Sequence, residues 1–246
     1  IVCMNTHHIT SQFDSGAIEV LSLKDQRNIE LAIRADNASD FAQWFHFCLH
    51  GAVGLPVTLR FMNAGACAYP KGWDGYQMVA SHDRQNWFRV DTAFDGTVMT
   101  VRTTPESNAT YFAYFEPYSY EQHLDLLGSA TQSPHVGVQW LGSTCDGRDM
   151  NVLRITDAGS TIPDAEKKKV WLIARQHPGE TMAEWFAEGF LERLLDGDDS
   201  VSRVLLQRCV FHVVPNMNPD GAVRGNLRTN AVGANLNREW VAPTME

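Results

Sequence analysis

The sequence predicts an antiparallel β-sandwich followed by an α/β domain with a mixed sheet. In the first half, short apolar segments alternate with turn residues. A helix start signal follows, and after it come an apolar strand, an amphipathic helix and a second apolar strand. The chain has 246 residues, of which 44% are hydrophobic, so it can bury one large core or two modest ones. We place the sandwich at residues 5–117 and the α/β domain at residues 118–246.

The sandwich is predicted from eight candidate strands, at residues 17–23, 28–33, 44–49, 56–62, 77–81, 87–90, 97–103 and 110–115. Asp-Gly, Gly-rich and Asn-containing segments separate them, and no convincing helix intervenes. Such a series is typical of an antiparallel sandwich or barrel. Because aromatic side chains dominate buried area, the aromatic residues of these strands are more simply interpreted as core than as a ligand groove.

The α/β domain is predicted to begin with a helix that Ser119 caps, with Gln122 at the capping-box position and an end near Gly128. An Asp-Gly turn then predicts a hairpin between residues 136–144 and 150–156. The uninterrupted apolar run at 170–174 predicts a strand covered on both faces. Helical spacing of apolar residues over 180–196 and a second apolar run at 209–214 complete a strand, helix, strand order.

Composition argues against nucleic acid and membranes as partners. The chain carries 20 basic and 29 acidic side chains, for a net charge of −9, and its basic residues form no long run. No segment approaches the roughly 20 apolar residues that span a bilayer. The first residues lack the order of a signal peptide, so we expect a cytoplasmic protein. The five scattered cysteines, Cys3 included, contain no C-x-x-C pair and are expected to be free thiols.

The segment H-P-G-E at residues 177–180 lies between a predicted strand and a predicted helix. A His and a Glu three positions apart can direct an imidazole nitrogen and a carboxylate oxygen at one metal, as catalytic zinc with His₂Glu ligation requires. The alternative is an exposed turn whose Glu caps the following helix. An Asn-rich block follows the strand at 209–214, and ligands gather at the carboxyl ends of strands in α/β sheets, so both segments are expected at one rim.

Together these motifs resemble the M14 metallocarboxypeptidases. H-P-G-E at 177–180, N-P-D-G at 218–221 and L-N-R at 236–238 look most like the cytosolic carboxypeptidase subfamily and its bacterial relatives. The resemblance covers residues 141–246 by motif. It covers the whole chain by domain order, because that subfamily places a β-sandwich before its catalytic domain.

The resemblance implies a zinc-dependent carboxypeptidase that binds one zinc ion and cleaves C-terminal residues from peptides or protein tails. His177 and Glu180 would be the first two zinc ligands. Arg228 would polarise the scissile carbonyl and stabilise the oxyanion. Asn237 and Arg238 would bind the terminal carboxylate of the substrate. The N-P-D-G segment is expected to shape the turn that carries these groups.

The chain departs from the family pattern at its end. The third zinc ligand of the family is a later His and its general base a later Glu, yet no histidine follows His212, which we expect to be a core residue of its strand. We expect a truncated version of a longer enzyme, whose incomplete carboxypeptidase-like domain leaves an apolar face exposed; the other explanation is a complete protein. Two further functions stay open: a zinc amidohydrolase of the aspartoacylase or succinylglutamate desuccinylase type, and a non-catalytic peptide-binding module.

Overall fold

The computed structural model describes residues 7–244. Cys3, residues 5–6 of the predicted sandwich and residues 245–246 of the predicted α/β domain therefore lie outside the described part. Within that part, no helix combines the length and the apolar character needed to cross a membrane. Cys48, Cys67 and Cys209 are buried free thiols, and Cys145 is an exposed one.

The first half of the chain forms two five-stranded sheets. The strands are β1 (His8–Thr10), β2 (Glu19–Ser22), β3 (Ile29–Ala32), β4 (His46–His50), β5 (Val57–Phe61), β6 (Val79–Ser81), β7 (Trp87–Arg89), β8 (Thr92–Phe94), β9 (Met99–Thr103) and β10 (Ala109–Ala113). One sheet has the order β1-β4-β10-β6-β7 and the other β2-β3-β5-β9-β8. The predicted antiparallel sandwich is confirmed, with one exception: β3 pairs with β5 in parallel.

Aromatic side chains fill the space between the two sheets. Phe45, Phe47, Phe61, Phe112 and Trp73 are at most 2% exposed. Ring centroids lie 4.9 Å apart in the Phe45–Phe61 pair and 5.3 Å apart in the Phe47–Phe112 pair. Burying a side chain of this kind contributes about 1.5–3 kcal/mol. The interpretation of the aromatic residues as core is thus correct.

The second half contains α1 (Tyr120–Ala130), β11 (Val136–Ser143), β12 (Asp149–Ile155), β13 (Lys168–Ile173), α2 (Met182–Leu194), α3 (Ser200–Arg208), β14 (Cys209–Val214) and α4 (Pro219–Arg224). Its sheet has the order β11-β12-β14-β13. β13 and β14 are parallel and the other pairs antiparallel, as expected for a mixed sheet. The capping box of Ser119 and Gln122 is present, although α1 continues past Gly128.

Two predicted features of this sheet are wrong. The strand at 170–174 was expected to be covered on both faces, but β13 lies at the sheet edge, and Trp171 is 62% and Ile173 43% exposed. His212 is not the core residue that was expected, because it is half-buried and its ring centre lies 4.6 Å from that of the exposed Trp171. These side chains belong to the exposed apolar face that the short sheet predicted.

The two halves approach closely where α4 ends. The backbone N–H of Ser15 in the sandwich donates to the carbonyl of Val223 at 2.9 Å. Gly225 follows α4 with a φ of 70°, the left-handed conformation that suits a residue without Cβ. A Cβ at Gly225 would lie 2.7 Å from the carbonyl oxygen of Ser15. Glycine therefore permits both the helix end and the approach of the sandwich.

The substitution Gly225→Ala is expected to lower the free energy of unfolding by more than Gly75→Ala does. Gly75 has a similar φ of 69° but open space at the Cβ position, so its substitution reports the cost of the conformation alone, about 1–2 kcal/mol. The additional loss of unfolding free energy in Gly225→Ala measures the contribution of the close contact with the sandwich. Urea unfolding of both variants measures it, and equal losses would show that the contact contributes nothing.

Candidate functional site

The H-P-G-E segment forms the turn between β13 and α2. His177 is 6% exposed, whereas the Glu180 side chain is 50% exposed. His177 Nδ1 and Glu180 Oε1 lie 3.1 Å apart. The N-cap of α2 is Thr181, and among residues 7–244 no backbone N–H donates to the Glu180 carboxylate. The capping role that was the alternative for Glu180 is therefore absent from this turn.

Asn235 holds one ring nitrogen of His177 as a hydrogen-bond donor. Its Oδ1 accepts the backbone N–H of Asn237 at 3.1 Å, which fixes the oxygen end of the amide at that place. The same oxygen lies 3.1 Å from His177 Nε2, so Nε2 must be the donor. In the neutral imidazole Nδ1 then has a lone pair, and that lone pair faces the Glu180 carboxylate.

This pair of atoms fits two positions of a zinc site. A tetrahedral zinc ion with bonds of 2.0–2.2 Å separates its ligand atoms by roughly 3.4 Å, and the observed separation of 3.1 Å is close to that value. An oxygen partner that holds the opposite ring nitrogen is also the usual support of a zinc-binding histidine. Within residues 7–244, however, no group of three or more His, Cys, Asp or Glu side chains could hold a metal ion. The described residues thus provide two donors.

Arg228 joins this pair at the rim. Its Nη1 lies 3.9 Å from Glu180 Oε1, and its side chain is only 15% exposed. The guanidinium carbon lies 5.7 Å from the ring centre of Phe41 and 5.5 Å from that of Tyr69, both in the sandwich. The structure therefore brings together three of the five predicted site residues, all in the second half of the chain, and places two aromatic rings of the first half against one of them.

The other two predicted residues lie on the surface beside them. Asn237 and Arg238 belong to the short 3₁₀ turn Leu236–Arg238, and both are exposed. Arg238 Nη1 donates to the carbonyl of Asn237 at 2.8 Å. Across residues 7–244 no hydrogen bond or ion pair links either side chain to the other three predicted residues. Asn235 links the two groups indirectly, because its Oδ1 contacts both His177 Nε2 and the backbone N–H of Asn237.

A buried ionic network, which was not predicted from the sequence, contacts the H-P-G-E turn. Glu184 of α2 is fully buried, and its carboxylate receives hydrogen bonds from Arg175 at 2.7 Å and from Asn216 at 3.0 Å. His123 Nδ1 of α1 lies 2.7 Å from the same carboxylate. Arg175, two residues before His177, has a φ of 48°, unusual for a residue with Cβ. Its guanidinium also donates to the carbonyl of Pro178 at 3.0 Å.

The N-P-D-G segment shapes a turn, as expected. Asn218 caps α4 by accepting the N–H of Gly221 at 3.0 Å. Asp220 is buried and accepts hydrogen bonds from the β11–β12 hairpin, from Thr144 at 2.7 Å and Arg148 at 2.8 Å. Hydrogen bonds from Arg224 hold the pKa of Asp146 on the same hairpin below its usual range. These contacts fix the hairpin to the helix that precedes the Arg228 loop.

Three residues near the site were not predicted from the sequence. Asn235 carried a weak signal, because an Asn two residues before Asn237 can accept that residue's N–H in an Asx turn. Glu184 carried another, as a charged residue on the face of α2 that the apolar spacing assigns to the core. Asp36 carried none: it belongs to no motif, yet its carboxylate contacts the Arg228 loop 191 residues away.

Comparison with known proteins gives matches for both halves of the chain. Residues 9–115 match the family described as cytosolic carboxypeptidase N-terminal domain, and residues 120–245 match zinc carboxypeptidase. An uncharacterized protein of Zymomonas mobilis is 49% identical over 98% of this chain and 61% of its own length. A metallo-carboxypeptidase from Burkholderia cenocepacia superimposes with a TM-score of 0.93 at 55% identity, over 96% of this chain and 62% of its own.

A metallo-carboxypeptidase from Pseudomonas aeruginosa, solved in complex with (2-guanidinoethylmercapto)succinic acid, gives a TM-score of 0.89 at 46% identity and the same two coverages, 96% and 62%. The chain thus spans about three fifths of the length of these relatives. The zinc carboxypeptidase match alone covers just over half of the chain. The chain belongs to the M14 zinc carboxypeptidase family and carries the N-terminal domain of the cytosolic carboxypeptidases in front of its zinc carboxypeptidase domain.

Proposed function

We propose that this protein is a zinc-dependent metallocarboxypeptidase that hydrolyses the C-terminal peptide bond of peptides or protein tails. The observation that carries the proposal is the approach of His177 Nδ1 to the Glu180 carboxylate at 3.1 Å, with the Arg228 guanidinium beside it. We divide the chain into a sandwich at residues 5–117 and a catalytic portion at 118–246. A cytoplasmic location, and a function without nucleic acid or membrane partners, remain predictions from composition.

In this proposal His177 and Glu180 hold one zinc ion, with Asn235 keeping the proton on His177 Nε2. Bound zinc supplies a Lewis acid for the peptide carbonyl and for water. The third ligand and the general-base Glu that the family uses are not found within residues 7–244. The roles assigned below therefore concern how this part of the protein binds and orients a substrate.

Arg228 is the group that stabilises negative charge. Its guanidinium is permanently charged and largely excluded from water, so a hydrogen bond from it to a carbonyl oxygen strengthens as that oxygen becomes negative. The distance of 3.9 Å from Glu180 places this donor next to the proposed metal ligand. A peptide carbonyl bound between the Arg228 guanidinium and Glu180 would lie next to the positive charge of the guanidinium.

Arg238 and Asn237 bind the free carboxylate of the substrate. A guanidinium fork and an amide donor match a planar carboxylate. Within residues 7–244 the guanidinium of Arg238 donates only to the Asn237 carbonyl, so most of its donors remain for a ligand. The succinic acid derivative bound by the P. aeruginosa relative carries carboxylate groups, which supports a carboxylate site here. The net charge of −9 gives no support for an acidic substrate.

The two other functions have less support. The match of residues 9–115 to the cytosolic carboxypeptidase N-terminal domain favours a peptidase over an amidohydrolase of small acylated amino acids. A module that only binds peptides would not require the pairing of His177 and Glu180 or the placement of Arg228 next to them. We therefore retain hydrolysis as the proposed function.

The substitutions His177→Ala and Glu180→Gln are expected to remove zinc from the protein expressed from its complete gene and to abolish peptide hydrolysis. Loss of a neighbour that only orients a ligand already lowers metal affinity by roughly 10- to 100-fold, so loss of a ligand should exceed that. Metal analysis after dialysis gives the zinc content. Glu192→Gln, an exposed change on α2, should leave both quantities unchanged. Full zinc content in both ligand variants would contradict the assignment.

The substitution Arg238→Ala is expected to raise KM for a peptide with a free C-terminus by roughly 10- to 150-fold, the value of one lost hydrogen bond to a charged group. It should raise KM far more than it lowers kcat. Amidation of the peptide C-terminus should abolish turnover by the wild type, and Arg203→Ala on α3 should change neither constant. Persistent turnover of the amidated peptide would show that the carboxylate role of Asn237 and Arg238 is wrong.

A further inference from the structure

The loop that carries Arg228 is fixed by a carboxylate from the other domain. Asp36, 5% exposed, follows β3 in the sandwich. Its Oδ1 accepts the backbone N–H of Leu227 at 2.5 Å, and its Oδ2 accepts those of Arg228 at 2.8 Å and Thr229 at 3.0 Å. The Thr229 hydroxyl lies 3.1 Å from the same Oδ2. One buried carboxylate thus binds three successive backbone amides with Arg228 at their centre.

A carboxylate with several charge-assisted hydrogen bonds restricts a loop strongly, because each bond to an ionised acceptor contributes more than a neutral one. The neighbouring Asn37 extends the contact: its Nδ2 donates to the carbonyl of Ala231 at 2.8 Å, and its Oδ1 accepts from Asn226 at 2.6 Å. The loop also reaches the H-P-G-E turn, where the N–H of Gly179 donates to the carbonyl of Leu227 at 3.0 Å.

The sandwich also holds the side chain of Arg228. The guanidinium carbon lies 5.7 Å from the ring centre of Phe41 and 5.5 Å from that of Tyr69, and cation–π contacts of this kind attract the side chain to the two rings. Gln43, itself fully buried, holds Tyr69 by accepting its N–H at 3.0 Å and donating to its carbonyl at 3.2 Å. Backbone and side chain of Arg228 are therefore both positioned by residues of the sandwich.

We propose that Asp36, together with Phe41 and Tyr69, is a positioning residue for hydrolysis, and that the sandwich domain sets the place of the Arg228 guanidinium in the active site. This inference rests on the proposed carboxypeptidase function. None of the three residues touches the reacting atoms; each acts through Arg228. The sandwich is then a part of the catalytic apparatus, because it contacts both the backbone and the side chain of the arginine that meets the transition-state charge.

The test is a double-mutant cycle on the enzyme expressed from its complete gene, with a peptide that has a free C-terminus. Asp36→Asn presents an amide to backbone N–H groups that need an acceptor, so the loop shifts. We expect kcat to fall by about 10- to 100-fold, the effect of a displacement near 1 Å, with KM unchanged. Arg228→Ala alone should lower kcat by about 100- to 1000-fold. In the Arg228→Ala background, Asp36→Asn should have no further effect on kcat.

Asp14→Asn is the matched control. Asp14 is also a sandwich carboxylate that accepts a backbone N–H of the other domain, that of Tyr120 at 2.6 Å, but it does not contact the Arg228 loop. Its substitution should lower the melting temperature and leave kcat unchanged. If Asp36 only joined the two domains, Asp36→Asn would likewise lower the melting temperature and leave kcat unchanged. If Asp36 positions Arg228, Asp36→Asn lowers kcat even at temperatures where the variant is fully folded.

If Asp36→Asn fails to fold, Tyr69→Leu replaces it in the cycle, because Tyr69 is 45% exposed and its removal leaves the core intact. A wild type without hydrolysis would overturn the proposed function and this inference with it. An active wild type in which Asp36→Asn or Tyr69→Leu retains full kcat, or adds its full loss to that of Arg228→Ala, would overturn the inference alone.

Discussion

The geometry of the site depends on one buried carboxylate, that of Glu184. Its hydrogen bonds reach Arg175 after β13, Asn216 after β14 and His123 on α1, so four elements meet at one charge. A carboxylate this deep is unfavourable unless it is paired, and removal of one partner from a buried ion pair costs about 3–5 kcal/mol. The pairing therefore forces the ends of both parallel strands and the start of α2 into one arrangement. The turn with His177 and Glu180 adjoins this arrangement, because Arg175 also donates to the carbonyl of Pro178.

The proposed zinc ligands are thus held by contacts within the α/β domain, whereas the Arg228 loop also has contacts with the sandwich. The H-P-G-E turn and the Arg228 loop meet through the bond from Gly179 to Leu227. On its other side the loop receives Asp36 and the rings of Phe41 and Tyr69. Residues of both domains consequently lie at the proposed site.

The parts of this structure that the sequence predicted are those with a local signal. The capping box at Ser119, the Asp-Gly hairpin and the H-P-G-E segment each depend on residues a few positions apart, and all three lie where they were expected. The exposure of Trp171 was missed because an apolar run does not reveal whether its strand is central or at an edge.

The helix Ser200–Arg208 (α3) was not predicted, because it begins shortly after α2 ends and several of its apolar side chains are about half exposed instead of forming a buried face. The contacts of Asp36 were beyond prediction, since a single Asp in a loop gives no indication of a partner 191 residues away. The family resemblance assigned a role to Arg228 but gave no indication of its contacts with Asp36, Phe41 and Tyr69. Long-range polar contacts of this kind appear only once the two domains are seen together.

The most direct test of the account is a crystal structure of the protein expressed from its complete gene, grown with zinc and measured at the zinc absorption edge. We expect one anomalous peak bonded to Nδ1 of His177 and to the carboxylate of Glu180 at about 2.0–2.2 Å, with Asn235 still hydrogen-bonded to Nε2. A peak bonded to Nε2 of His177, a peak elsewhere on the protein, or no peak at saturating zinc would contradict it.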